Sequence, residues 1–77
     1  MIGAQCRAGR GLINMSIEEL AARAGVATDT IVRFENGVAL HQRTGIAIRE
    51  ALEAAGVVFI DKNGGGPGVR LRKAMLK

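Results

Sequence analysis

The chain has 77 residues, nearly half of them apolar, with two phenylalanines as its only aromatics and a formal charge of +4. That length makes one domain near the lower limit for folding without staples, and a core of Ala, Ile, Leu and Val suits closely packed helices better than a sheet sandwich. A single cysteine, Cys6, and a single histidine, His41, exclude an internal disulfide, a zinc site and a Cys–His catalytic pair.

Residues 3–13, GAQCRAGRGLI, predict a first helix that Gly3, Gly9 and Gly11 weaken. Packing must hold it, with Ala8, Leu12 and either Ile13 or Cys6 turned inward. Asn14-Met15 forms a break. Ser16 is then an N-cap, and Glu19 three residues later completes a capping box. The second helix runs from Ile17 to about Ala24 and buries Leu20, Ala21 and Ala24, with Glu18 and Glu19 at its positive end. Gly25 ends it, because a helix that stops within one residue and turns sharply needs a left-handed conformation there. Val26 plugs the corner. A third helix follows from about Thr28 to Asn36, with Ile31 and Phe34 inward and Thr28, Asp29, Val32 and Arg33 outward, and Gly37 stops it.

The connection VALH leads to a fourth helix, roughly Gln42 to Ala55. Ile48, Ala51, Leu52 and Ala55 form its apolar stripe, and Arg49 and Glu53 an exposed (i, i+4) pair. VVFID, KNGGGPG and VRLR then read as strand, loop and strand, most simply a β-hairpin. Its register stays open. A tight Asn63-Gly64 turn sets Val58 opposite Val69, whereas a longer glycine loop sets Phe59 opposite Val69 and Val57 opposite Leu71. A one-residue slip between them exchanges the two faces. GGGPG lacks the strand-before, helix-after context of a phosphate loop and reads as a hairpin loop.

Charge is distributed unevenly. Residues 1–61 carry six arginines against seven acids, whereas residues 62–77 carry Lys62, Arg70, Arg72, Lys73 and Lys77 with no acid. A basic end suits a polyanionic partner, or serves only as a solvated end. The start, MIGAQCRAGRG, has no apolar run long enough for a signal peptide or membrane span, so a cytoplasmic protein without membrane contact is expected. Glu18/Glu19 and Glu50/Glu53 read as helix-surface charge, and nothing marks an enzyme.

The capped start at Ser16, EELA with Leu20-Ala21 inward, AG at the turn, the plug Val26, then Ile31 and the closing RFENG form a more specific pattern. Together they resemble the phage-repressor-like helix-turn-helix family, the lambda repressor and Cro group called XRE-type regulators. The resemblance covers about residues 4–56, and AIREALEAAGVVFIDKNGGGPGVRLRK, residues 47–73, resembles the ending of small bacterial members. It implies a mainly α fold, with a four-helix lambda-repressor-like DNA-binding domain in residues 1–56 followed by a C-terminal β-hairpin and basic tail in residues 57–77. It implies that the helix matching residues 28–36 lies in the major groove of double-stranded DNA. Thr28 and Asp29 then fall at the first-turn positions facing base edges, with Arg33 one turn later. Arg33 suits guanine, Thr28 a thymine methyl or polar edge, and Asp29 cytosine N4. Asn36 and Arg43 match positions that touch phosphates, and Arg10 and Glu35 match a pair tying the first helix to the end of the recognition helix. No cofactor, metal or catalytic residue is implied.

Three residues depart from the family pattern. Ile17 stands where the family usually has a phosphate-contacting Gln, Asp29 brings negative charge toward DNA, and Gly45 replaces a usual Leu at a cost of about 1 kcal/mol relative to Ala. Two functions follow. The first is a transcriptional regulator binding DNA as a homodimer, which Thr28, Arg33, Asn36, Arg43 and the basic tail favour. The second is a protein-interaction module on the same scaffold, antiactivator or antitoxin-like, with weak or no DNA binding, which Ile17 and Asp29 favour. Since Val57, Val58, Phe59 and Ile60 are all apolar, one hairpin face can cover the fourth helix while the other calls for a two-fold partner.

Overall fold

The punctuation of the sequence by Ser16, Gly25, Gly37 and Gly56 divides the chain much as expected. The computed structural model describes residues 1–61 and 64–73. Lys62, Asn63 and residues 74–77, part of the basic tail and half of the Asn63-Gly64 turn, lie outside the described residues. Four helices come first: α1 (Gly3–Ile13), α2 (Ile17–Ala24), α3 (Thr28–Glu35) and α4 (Gln42–Ala54). A two-stranded antiparallel hairpin, β1 (Val57–Ile60) and β2 (Gly68–Leu71), follows.

Local chemistry accounts for the boundaries. Asn14 ends α1 in the left-handed region (φ 54°), which Asn tolerates better than most residues. The chain then folds back so that the Met15 amide donates to the Arg10 carbonyl at 2.9 Å and the Met15 side chain joins the core. Ser16 Oγ accepts from the Glu19 amide at 3.0 Å. The return half of the expected capping box is not made. Instead, the Glu19 carboxylate accepts from Arg23 one turn on, at 2.9 Å, a charge-assisted bond that outcompetes a neutral amide. Gly25 adopts φ 71°, and its amide donates to the Ala21 carbonyl. Asn36 caps α3 rather than continuing it, and Ala55 does the same for α4.

Leu20, Ile31, Ile48, Leu52, Val57 and Cys6 are fully buried, joined by Met15, Ala21, Phe34 and Phe59. One helix face differs from expectation. Ala8 is exposed and Leu12 is 43% exposed, while Gln5 and Gly9 join Cys6, whose inward position was expected, on the buried side. Two contacts fix this rotation. A Cβ on Gly9 would come within 3.2 Å of Val57 Cγ1 and 3.9 Å of Leu52 Cδ1, so Gly9 lets the helix approach the hairpin. Cys6 and Arg10 must also meet Glu35. A polar residue and a glycine thus occupy the buried stripe, which hydrophobic periodicity cannot detect.

The hairpin takes the longer-loop register, with Val57 opposite Leu71 and Phe59 opposite Val69. This places Val57 and Phe59 in the core and turns Val58 and Ile60 outward, beside exposed Arg70 and Arg72. The Arg49 guanidinium lies over the Phe59 ring, 5.0 Å from its centroid, and also donates to Glu53 at 3.1 Å.

Candidate nucleic-acid interface

The orientation of α3 is set from behind. Ile31 and Phe34 anchor it in the core, and Glu35 is held in a polar cluster supplied by α1. Arg10 grips the carboxylate with both arms, Nε donating to Oε2 at 2.7 Å and Nη2 to Oε1 at 2.6 Å, while Nη1 donates to the Met15 carbonyl at 3.1 Å. The Cys6 thiol donates to Glu35 Oε2 at 3.2 Å. Arg7 donates to the Glu35 carbonyl at 2.9 Å and lies 3.6 Å from its carboxylate. The Glu35 side chain is only 3% exposed. Burial alone would raise its pKa, but hydrogen bonds from Arg10 and Cys6 and the charges of Arg10 and Arg7 hold it below the usual carboxylate range. The Cys6 thiol is pushed up to about 12, first by burial and then by its bond to Glu35 and the charge of that residue. It is therefore a neutral donor, not a nucleophile.

Fixing the inward face fixes the outward one. Thr28, Asp29, Val32, Arg33 and Asn36 are all exposed, and helical spacing lines them along one side of α3. Arg33 also enters a surface groove with Val38, His41 and Thr44, between α3 and the start of α4. Arg43, on the first turn of α4, is exposed but does not line that groove. Asn36 stands apart from the first-turn residues, at the far end of α3, where its Oδ1 accepts from Arg7 at 3.5 Å. Thr28, Asp29 and Arg33 therefore share a face, with Asn36 at the far end of α3 and Arg43 on the first turn of α4.

Among the described residues, Asp29, Arg33 and Arg43 form no ion pair, whereas every charge of the Glu35 cluster is engaged. No side chain caps the first turns of α3 and α4. Apart from the Thr30 amide, which donates to the Ala27 carbonyl at 3.1 Å, their first-turn amides remain available to an acceptor, in the positive end of each helix dipole. Asp29, in the first turn of α3, interacts favourably with that dipole while opposing an incoming phosphate.

Two residues on this side escaped the sequence reading as interface elements. Val32 is 39% exposed between Thr28 and Arg33, and its (i, i+4) spacing from Thr28 was the available signal. Arg7 falls one turn before Arg10 on the same side of α1, which places it over the end of α3. The other two departures, Ile17 and Gly45, also find their places. Ile17 packs partly buried against the core. Gly45 faces open space, with nothing within 4 Å of a Cβ built there.

Among the described residues no three His, Cys, Asp or Glu side chains group as metal ligands, and no helix is long and apolar enough to cross a membrane. No curated protein gives a significant match to the chain. A family model described as helix-turn-helix matches residues 7–56, from within α1 through the end of α4, and the chain belongs to that family, the phage-repressor-like, XRE-type DNA-binding regulators.

Proposed function

We propose that this chain is a sequence-specific transcriptional regulator that binds DNA as a homodimer. Thr28, Asp29 and Arg33 meet base edges, Val32 offers an apolar contact to a thymine methyl, and Asn36 and Arg43 meet phosphates. The observation that carries this reading is the contrast across α3: an engaged buried side and an exposed side whose charged groups form no ion pair among the described residues. Residues 1–56 act as the reading head and residues 57–77 as the dimerisation element. The division is one of function, since Val57 and Phe59 belong to the same core as the helices.

Two features of the hairpin support dimerisation. Val58 is half-buried and Ile60 is 38% exposed, so the outer face of β1 remains apolar after folding. The Arg72 amide donates to the Gly56 carbonyl at 2.8 Å. Alternation from that bond turns the backbone groups of Val57 and Phe59 away from β2, to a free edge. A two-fold partner would cover both, spacing two recognition helices by about 34 Å along one side of DNA.

The test is selection from a random duplex pool, followed by mobility shifts at two salt concentrations and sedimentation of the intact chain. A selected consensus with two half-sites, together with a dimer at micromolar concentration, is expected. V58E/I60E is expected to sediment as a monomer with its helical content intact. A dimer from that variant would remove the hairpin from the interface. The second reading, a protein-interaction module, draws on Ile17 turned into the core and Asp29 unpaired on the reading face. Failure to select any sequence, with no shift even at low salt, would favour it.

A further inference from the structure

Gln5 and Glu35 are the two buried polar residues among those described, and Gln5 faces a different neighbour. Its side-chain carbonyl accepts from the Ile2 amide at 2.9 Å. Its Nε2 donates to the Ile60 carbonyl at 3.2 Å and to the Gly68 carbonyl at 3.0 Å. Ile60 and Gly68 are the pair that closes the described ladder before the loop. A single side chain therefore ties both strands, at the mouth of the hairpin, to the start of α1.

The residues around Gln5 hold the other side of the molecule. A Cβ on Gly3 would collide with the Phe34 carbonyl oxygen, so the first turn of α1 rests directly on the last turn of α3. Cys6, Arg7 and Arg10 reach Glu35. Within residues 3–10, α1 grips the end of the recognition helix and the mouth of the hairpin at once. α1 also meets the hairpin through apolar contacts such as Gly9 against Val57, which resist separation but are non-directional and permit sliding. Hydrogen bonds to two fixed carbonyls are directional and do not.

We propose that Gln5 is a positioning residue for DNA recognition: by fixing the hairpin relative to α3, it sets the spacing at which two recognition helices meet their half-sites. The inference rests on the homodimer reading above. Gln5 touches no DNA, so its loss alters where the two reading heads stand and not which bases each prefers.

Two variants test this in the intact chain. Gln5→Met retains side-chain length and removes all three bonds. Gln5→Glu retains the acceptor for Ile2 but sets an oxygen against two carbonyls, and it carries the comparison should Gln5→Met fail to fold. Each is checked for helical circular dichroism and for dimerisation by sedimentation. Amide hydrogen exchange and selection from duplexes with half-sites at varied spacing then follow. The Val58 and Ile60 amides are expected to exchange about 10- to 100-fold faster than in the parent, the span one or two lost hydrogen bonds produce. The spacing preference is expected to broaden from one value to several adjacent ones, with base preference within each half-site unchanged. A dimeric variant with the parent spacing preference overturns the role of Gln5 and leaves the homodimer reading standing. Loss of base preference together with spacing also overturns it, since that marks general loosening. A monomeric parent chain overturns the homodimer reading, and this inference with it.

Discussion

The two sides of α3 use similar residue types to opposite ends. On the α1 side, Arg7, Arg10, Cys6 and Glu35 satisfy one another, and no buried side-chain nitrogen or oxygen among the described residues lacks a partner. On the outer side, Asp29, Arg33 and Arg43 stand without ionic partners among the described residues, near two helix N-termini that no side chain caps. Burial raises the cost of an unpaired charge, so the inner cluster must be complete to exist at all. Exposure removes that demand and leaves groups free for a ligand. Stability and recognition are thereby assigned to different faces of an eight-residue helix, and substitutions on one face should leave the other's measurement unmoved.

The largest expected effect lies in the buried cluster. Glu35→Ala leaves Arg10, only 16% exposed, without its carboxylate, and should cost about 3–5 kcal/mol of folding stability. A double-mutant cycle with Arg10→Ala, read by thermal unfolding, should show strong coupling, and coupling near zero would dissolve the contrast between the faces. The same pair sets an acid limit. Because the Glu35 pKa is depressed in the folded state, its contribution is complete above the unfolded carboxylate value of about 4.3 and is lost as pH falls through the lower folded value. In Glu35→Gln, that part of the acid dependence should vanish.

Arg33→Ala is expected to move the other measurement. It should cost about 1–3 kcal/mol on the selected site and relax one base position, with little change in melting temperature. An unchanged preference profile would take Arg33 off the reading face. Gly45→Ala should move stability alone, raising it by about 1 kcal/mol, since nothing in the fold occupies the space of the added methyl. A destabilised Gly45→Ala protein would mean that the backbone there is not freely helical. Asp29→Asn is the smallest change and the one that crosses between the faces. It should forfeit about 0.3–1 kcal/mol of helix-dipole stabilisation while strengthening non-specific DNA binding at low salt. If affinity at low salt does not rise, Asp29 does not face the phosphates.

The sequence by itself determined the elements and their order. Ser16 as N-cap, Gly25 in the left-handed region and the (i, i+3/i+4) spacing of Leu20, Ile31, Phe34, Ile48 and Leu52 act through neighbours a few residues away, so their consequences are local and legible. The Arg10–Glu35 pair was also legible, though only through resemblance, since 25 residues separate its members. Tertiary structure decided the rest. Hairpin register depends on which face of VVFI meets the helices, and the contact of Gly9 with Val57 helps fix that choice. The rotation of α1 departs from its apolar spacing at Ala8 and Leu12 because its buried stripe contains Gln5 and Gly9, selected by hydrogen bonding and close approach. The role of Gln5 arises only when Ile60 and Gly68, at least 55 residues further along the chain, present their carbonyls to it. Periodicity records what a residue shares with its own helix, whereas a polar group's fate depends on the partner that the completed fold brings within about 3 Å.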